Sequence, residues 1–270
     1  MGNEVKLTAG ALVRNIELLS FRPQVYDSGL LDFFGLSGAT GTYDKATGSG
    51  FGFQWKQKVD KGNPFLSFDT SYISARGFAD SSIGVFSEDS GINVTTQLGA
   101  RGQNWGAALA YRYGSAGSQV VRDGNMAAGL QTLSAVTGQS SNSVSIGAFW
   151  EPTGSSWMPS ISAGYGFTDI SGAVSSSIPK QGNIQSWMVG FQWKDVFQKG
   201  NSAGFAFGQA PFASNATSEQ SSERFLWEFF YKYQVTDKIS ITPGIFYAPS
   251  YQAAVGDSTW GGVIQTTFRF

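Results

Sequence analysis

Large apolar residues alternate with small or polar ones through most of this chain, and few folds tolerate that pattern. In "NWGAALAYRYG" the residues Trp105, Ala107, Leu109, Tyr111 and Tyr113 fall on one side, with Gly106, Ala108, Ala110, Arg112 and Gly114 on the other. Side chains alternate across a strand, so a period of two specifies a β-strand with two different faces. "INVTTQLGAR", "SVSIGAFW", "WMPSISAGYGF" and "KISITPGIFY" repeat the split. It is strongest in "RFLWEFFYKYQ", where Phe225, Trp227, Phe229, Tyr231 and Tyr233 share a face and Glu228, Lys232 and Gln234 lie behind them.

The pattern predicts twelve strands, at about 4–18, 50–58, 63–74, 92–101, 104–114, 141–150, 156–168, 183–194, 200–208, 224–234, 238–247 and 259–270. Their connections alternate in length. Tight turns sit at "VDKGN", "GQ", "EPTG", "VFQKGN" and "TD", whereas long Gly/Ser/Asn-rich loops fill about 21–49, 75–91, 115–140, 169–182, 209–223 and 248–258. Short turns on one rim and long loops on the other, around strands of about ten residues, is the plan of an antiparallel transmembrane β-barrel. The twelve strands are then all or part of the native number, with both termini on the short-turn rim.

A spanning sheet turns an apolar face to lipid, which explains why only 14% of residues are charged and 15% are aromatic. Trp105, Trp150, Trp157, Tyr165, Trp187, Tyr233, Tyr247 and Trp260 are expected in aromatic girdles, and the Gly-rich inward positions to leave room for water. A pair of β-sandwiches or a propeller is the soluble alternative. Loop asymmetry and low charge argue against it, and no repeat of about forty residues marks a propeller blade.

No stretch approaches the eighteen or so apolar residues of a membrane helix. A formal net charge of -1 offers nucleic acid no basic patch. The chain has no Cys and no His, which removes thiol chemistry, disulfides and the commonest metal ligand and general base. Catalysis needs a nucleophile with a base, or a metal site, so no catalytic residue, metal or cofactor is expected. "GSGFGF", "GYGF" and "GFAFG" match neither a dinucleotide nor a phosphate loop.

"GNSAGFAFGQAPF", followed by "WEFFYKYQVTDKISITPGIFY" and "GGVIQTTFRF", closely resembles the C-terminal half of cyanobacterial outer-membrane porins of the carbohydrate-selective porin (OprB) family. "LLDFFGLSGATGTYDKATGSGFGFQWKQK" and "QSWMVGFQWKDVFQKGN" are similar to it as well. The resemblance implies an outer-membrane porin surrounded by lipid, giving passive diffusion to small hydrophilic solutes: carbohydrates, inorganic ions or iron. By analogy with trimeric porins it implies a homotrimer. It also implies that residues 1–270 are a single barrel domain truncated at its N-terminus, without the family's signal peptide and S-layer-homology domain. The same resemblance makes Phe268 and Phe270, at the end of "VIQTTFRF", the aromatic signal read by the barrel-assembly machinery. An ordinary buried terminal strand is the alternative.

Carrying the parity inward gives Lys6, Arg14, Lys56, Asp69, Arg101, Arg112, Lys194, Glu228, Lys232 and Arg269 as lumen charges, eight positive and two negative. Of these, Arg14, Asp69, Arg112 and Glu228, which read as mid-strand, and Lys232 are the candidate pore-lining residues. A cation-lined path lowers the barrier for anions, so Arg14 and Arg112 are expected to favour them. The loop at 115–140 has the length of a constriction loop folding inward, or of an external loop. A structural barrel with a narrow or plugged lumen is the competing function. The inward Gly, Ser and Thr point instead to an open path.

Overall fold

The computed structural model describes residues 2–58, 65–76, 82–118, 139–153, 157–172, 183–213, 225–249 and 258–269. Their strands are β1 (Gly2–Arg14), β2 (Thr47–Lys58), β3 (Phe65–Ser74), β4 (Ile92–Arg101), β5 (Trp105–Gly114), β6 (Gln139–Trp150), β7 (Ser160–Gly172), β8 (Ile184–Lys194), β9 (Ser202–Ala213), β10 (Phe225–Thr236), β11 (Ile239–Pro249) and β12 (Ser258–Phe268). They form one antiparallel sheet in chain order, so all twelve predicted strands are present. Among the described residues the sheet is open, with β1 and β12 each paired on one side. In a bilayer both of those edges need partners.

The two faces invert the rule for soluble proteins. Leu7, Leu98, Leu109, Ile146, Phe225 and Ile264 point outward and are exposed, whereas Asp69, Thr95, Gln97, Arg112, Ser143 and Glu228 point inward and are buried. Such an apolar exterior is stable against lipid and not against water. Trp105 pairs directly with Trp150 at the short-turn rim. Trp227, Tyr247 and Trp260 cluster at the other rim, with ring centroids 5.2–6.4 Å apart. Trp105, Trp150, Tyr247 and Trp260 thus stand at the rims, where girdles are expected, and Trp227 joins them.

The predicted extension of β1 to residue 18 is wrong. Asn15–Leu18 forms a 3-10 turn that steps the chain off the wall. Residues 15–46 then run across the concave face. Outbound, Leu18 meets Gly52 on β2, Phe21 meets Gly99 on β4, Pro23 meets Gly147 on β6, Tyr26 meets Gly190 on β8 and Leu30 meets Gly244 on β11. On the return, Phe33 meets Gly208 on β9 and Ser37 meets Gly164 on β7. A segment this short touches strands from β2 to β11 only because the sheet curls around it.

This overturns two expectations. The 21–49 stretch is largely an inward segment rather than a loop beyond the rim, and Gly52, Gly99, Gly147, Gly164, Gly190, Gly208 and Gly244 make room for peptide rather than for water. A Cβ at Gly164 would lie 1.9 Å from the Ser37 carbonyl oxygen. Wall and segment backbones touch there, so only glycine fits.

Candidate functional site

The segment is held where it enters and leaves. Arg112 on β5 donates from Nε to Asn93 Oδ1 at 2.6 Å and from Nη1 to the Gly41 carbonyl at 2.9 Å. Its Nη2 lies 2.9 Å from Asp44 Oδ2. Asp44 Oδ1 accepts from Asn15 Nδ2 at 2.7 Å, and the Asn15 N–H donates to the Ala46 carbonyl at 3.0 Å. Both ends of the segment therefore meet at one buried point on the wall. Burial pushes the Asp44 carboxyl up, against the opposing pull of Arg112.

Further along, Asp69 on β3 accepts from the Ser20 N–H at 2.9 Å and from Ser20 Oγ at 2.6 Å. Gln97 on β4 bridges the outbound and returning legs, donating to the Phe21 carbonyl at 2.9 Å and accepting from Tyr43 OH at 2.7 Å. Ser162 Oγ on β7 accepts the N–H groups of Val25 and Tyr26 at 3.0 and 3.1 Å. At the far side Glu228 on β10 accepts from Tyr26 OH at 2.8 Å and from the Leu31 N–H at 2.9 Å. Burial first, and the Glu228 carboxylate second, push the Tyr26 hydroxyl above its usual range, so it stays a donor. Burial likewise raises Tyr43. Around these bonds Tyr26, Leu31, Phe33 and Phe34 pack on Met188, Ala206, Leu226 and Phe230.

Asp69, Arg112 and Glu228 thus lie on the inward face, as the alternation places them, but at 0% exposure. Each is engaged with the segment or its clasp. Lys232 is half-buried near the short-turn end of β10. Arg14 departs from its predicted place. A register shift between Gly10 and Val13 reverses the parity, so Val13 packs inward with Leu18, Ala46 and Ile73. Arg14 ends its strand, half-exposed and 3.8 Å from Glu17. Phe268 is exposed on the last strand, while Phe270 and residues 119–138 of the predicted constriction loop lie outside the described residues.

The segment leaves a cavity of about 270 Å³ against β1 and β2, lined by Glu4, Lys6, Gln54 and Lys56 of the wall and by Glu17, Leu19 and Ser20 of the segment. Glu4 shares the inward parity of Lys6, and the sequence reading passed over it. Glu17 and Ser20 had no signal beyond belonging to a segment whose inward course was not foreseen.

The family described as carbohydrate-selective porin, OprB family, matches residues 35–270. The high-pH structure of Pseudomonas putida OprB superposes with a TM-score of 0.54 and 13% identity, over 98% of this chain and 69% of that one. An uncharacterised protein of Nostoc sp. (strain PCC 7120) is 30% identical over 132 residues, a match that spans 48% of this chain and 22% of that relative's length.

Proposed function

Because the chain belongs to the OprB family of carbohydrate-selective porins, outer-membrane proteins, we propose that it forms a narrowed channel for passive diffusion of small hydrophilic solutes. The observation that supports narrowing is the inward segment, anchored to charged groups on β3, β5 and β10. Solutes pass in the aqueous space between the segment and the wall and keep their hydration, so neither a cofactor nor a conformational cycle is needed. The cavity of about 270 Å³ beside the segment has room for ions and small metabolites. Family and fold point to transport rather than to an enzyme.

The same segment favours one other reading, a structural barrel whose lumen is closed. Single-channel recording in a planar bilayer under a salt gradient separates the two. Small stepwise currents from the intact protein support the channel. Silence that turns into steps once residues 20–40 are deleted identifies a plug. Homotrimer formation, and insertion by the barrel-assembly machinery through Phe268 and Phe270, belong to the proposal on the family likeness alone.

A further inference from the structure

We infer that the cavity between β1, β2 and Glu17–Ser20 is a passage site for small zwitterions, molecules that carry an ammonium and a carboxylate together. The inference rests on the channel reading above. Antiparallel register sets Glu4 directly opposite Lys56 and Lys6 opposite Gln54. Gly52, two residues from Gln54, abuts Leu18 of the segment, so this face is the inward one. Glu17 and Ser20 close the cavity from the segment's side. Two carboxylates and two ammonium groups therefore line one small space, beside an amide and a hydroxyl.

These charges differ from those buried against the segment or its clasp in being at least partly exposed. Asp69, Arg112 and Glu228 are buried in bonds to the segment or its clasp. Glu4, Lys6 and Glu17 are exposed, and no ion pair within 4 Å joins Glu4, Lys6 or Lys56 to an opposite charge among the described residues. Lys56 instead holds its ammonium 5.7 Å from the centre of the Phe65 ring, and Glu17 has a 3.8 Å contact with the half-exposed Arg14. An anion or a cation entering this space gains from one pair of charges and is repelled by the other. A neutral solute competes with water for them. A zwitterion satisfies both signs at once, which is the electrostatic complementarity that discriminates between solutes of equal size.

Glycine and its neutral isomer glycolamide have the same atoms and nearly the same size, so they isolate the charge effect. The full chain is reconstituted in liposomes and osmotic swelling is recorded in each solute at neutral pH. Glycine is expected to enter about threefold faster, the discrimination that partly solvated ion pairs provide. The double variants Lys6→Gln with Lys56→Gln, and Glu4→Gln with Glu17→Gln, should each bring the ratio to about one. That each variant has formed its barrel is read separately, from a β-sheet circular dichroism spectrum in detergent that matches wild type. Equal entry of the two isomers into wild-type liposomes, or a ratio that survives both double variants, overturns the site while leaving the channel standing. Entry of neither isomer overturns the channel and this inference with it.

Discussion

The wall around the inward segment has two unlike sides. On β8–β10 it is apolar apart from Glu228: Met188, Ala206, Leu226 and Phe230 surround Tyr26, Leu31, Phe33 and Phe34, with the rings meeting edge-on at 5.2–6.3 Å. On β3–β5 it is polar, and Asp69, Asn93, Gln97 and Arg112 hold the segment and its clasp by directed hydrogen bonds. Apolar contact gains stability in proportion to area and tolerates sliding. Hydrogen bonds to buried charged groups gain less net energy but permit few positions, since an orphaned partner is costly. Apolar area thus does most of the holding on β8–β10, while directed bonds on β3–β5 do most to decide where the segment lies.

The most severe test removes the clasp. Arg112→Ala leaves Asp44 buried and unpaired, which is expected to cost about 3–5 kcal/mol. The point where both ends of the segment meet then loses its bonds to β5, so trypsin should cut at Arg22 and Lys45 faster than in wild type, and channel conductance should rise. A double change to Arg112→Met with Asp44→Leu sharpens the comparison, because apolar replacement of a whole buried pair is often neutral or stabilising. If the double variant melts like wild type yet conducts variably, the polar side supplies position. If it is unstable, the polar side supplies stability too, and the contrast between the sides fails.

Next comes Phe230→Ala on the apolar side, where Phe230 is 1% exposed and packs on the Tyr26 ring. Deleting a buried aromatic ring is expected to cost about 3 kcal/mol, read as a lower melting temperature in detergent. The polar anchors survive in this variant. Conductance should therefore change less than in Arg112→Ala, even though the loss of stability is similar. A conductance as large as that of Arg112→Ala would show that position, too, depends on the apolar side.

The twelve strands were legible because the two-residue period depends only on neighbours in sequence. The inward segment was legible in part, and its signals were read otherwise. Leu30, Leu31, Phe33, Phe34 and Leu36 are an odd composition for a loop in water, and Phe149, Leu226 and Phe230 are large apolar residues on a face expected to be wet. Together they show that something packs inside the barrel. The place of Arg14 was not legible, because a register shift between Gly10 and Val13 reverses the face without changing the local alternation enough to notice. Nor could the alternation distinguish a charge that faces water from one covered by peptide. Arg112 and Lys6 share an inward parity, and only the course of residues 15–46 tells them apart.

A smaller effect is expected from Tyr43→Phe. The change removes the hydroxyl that Gln97 accepts at 2.7 Å, and Gln97 is fully buried. A cost of about 1–2 kcal/mol follows from losing one hydrogen bond and stranding its acceptor. Gln97 still donates to the Phe21 carbonyl, so hydrogen exchange should quicken on the returning leg around Tyr43 and not on the outbound leg. Equal quickening of both legs would mean that they are docked as one unit.

The least effect should come from Lys45→Met. Lys45 Nζ lies 2.6 Å from Asp32 Oδ1, a short contact that looks strong, but both residues belong to the segment itself and Asp32 is about half exposed, at 47%. A pair so open to solvent contributes about 0.5 kcal/mol, falling toward zero at high salt. It joins one part of the segment to another. If docking is controlled by the wall, losing this pair shifts the melting point slightly at low salt, vanishes as a difference at high salt, and leaves conductance where it was. A salt-independent rise in conductance in Lys45→Met would show that the segment's own shape holds it in the lumen, and the contrast between the two sides of the wall would then be secondary to the stiffness of what they enclose.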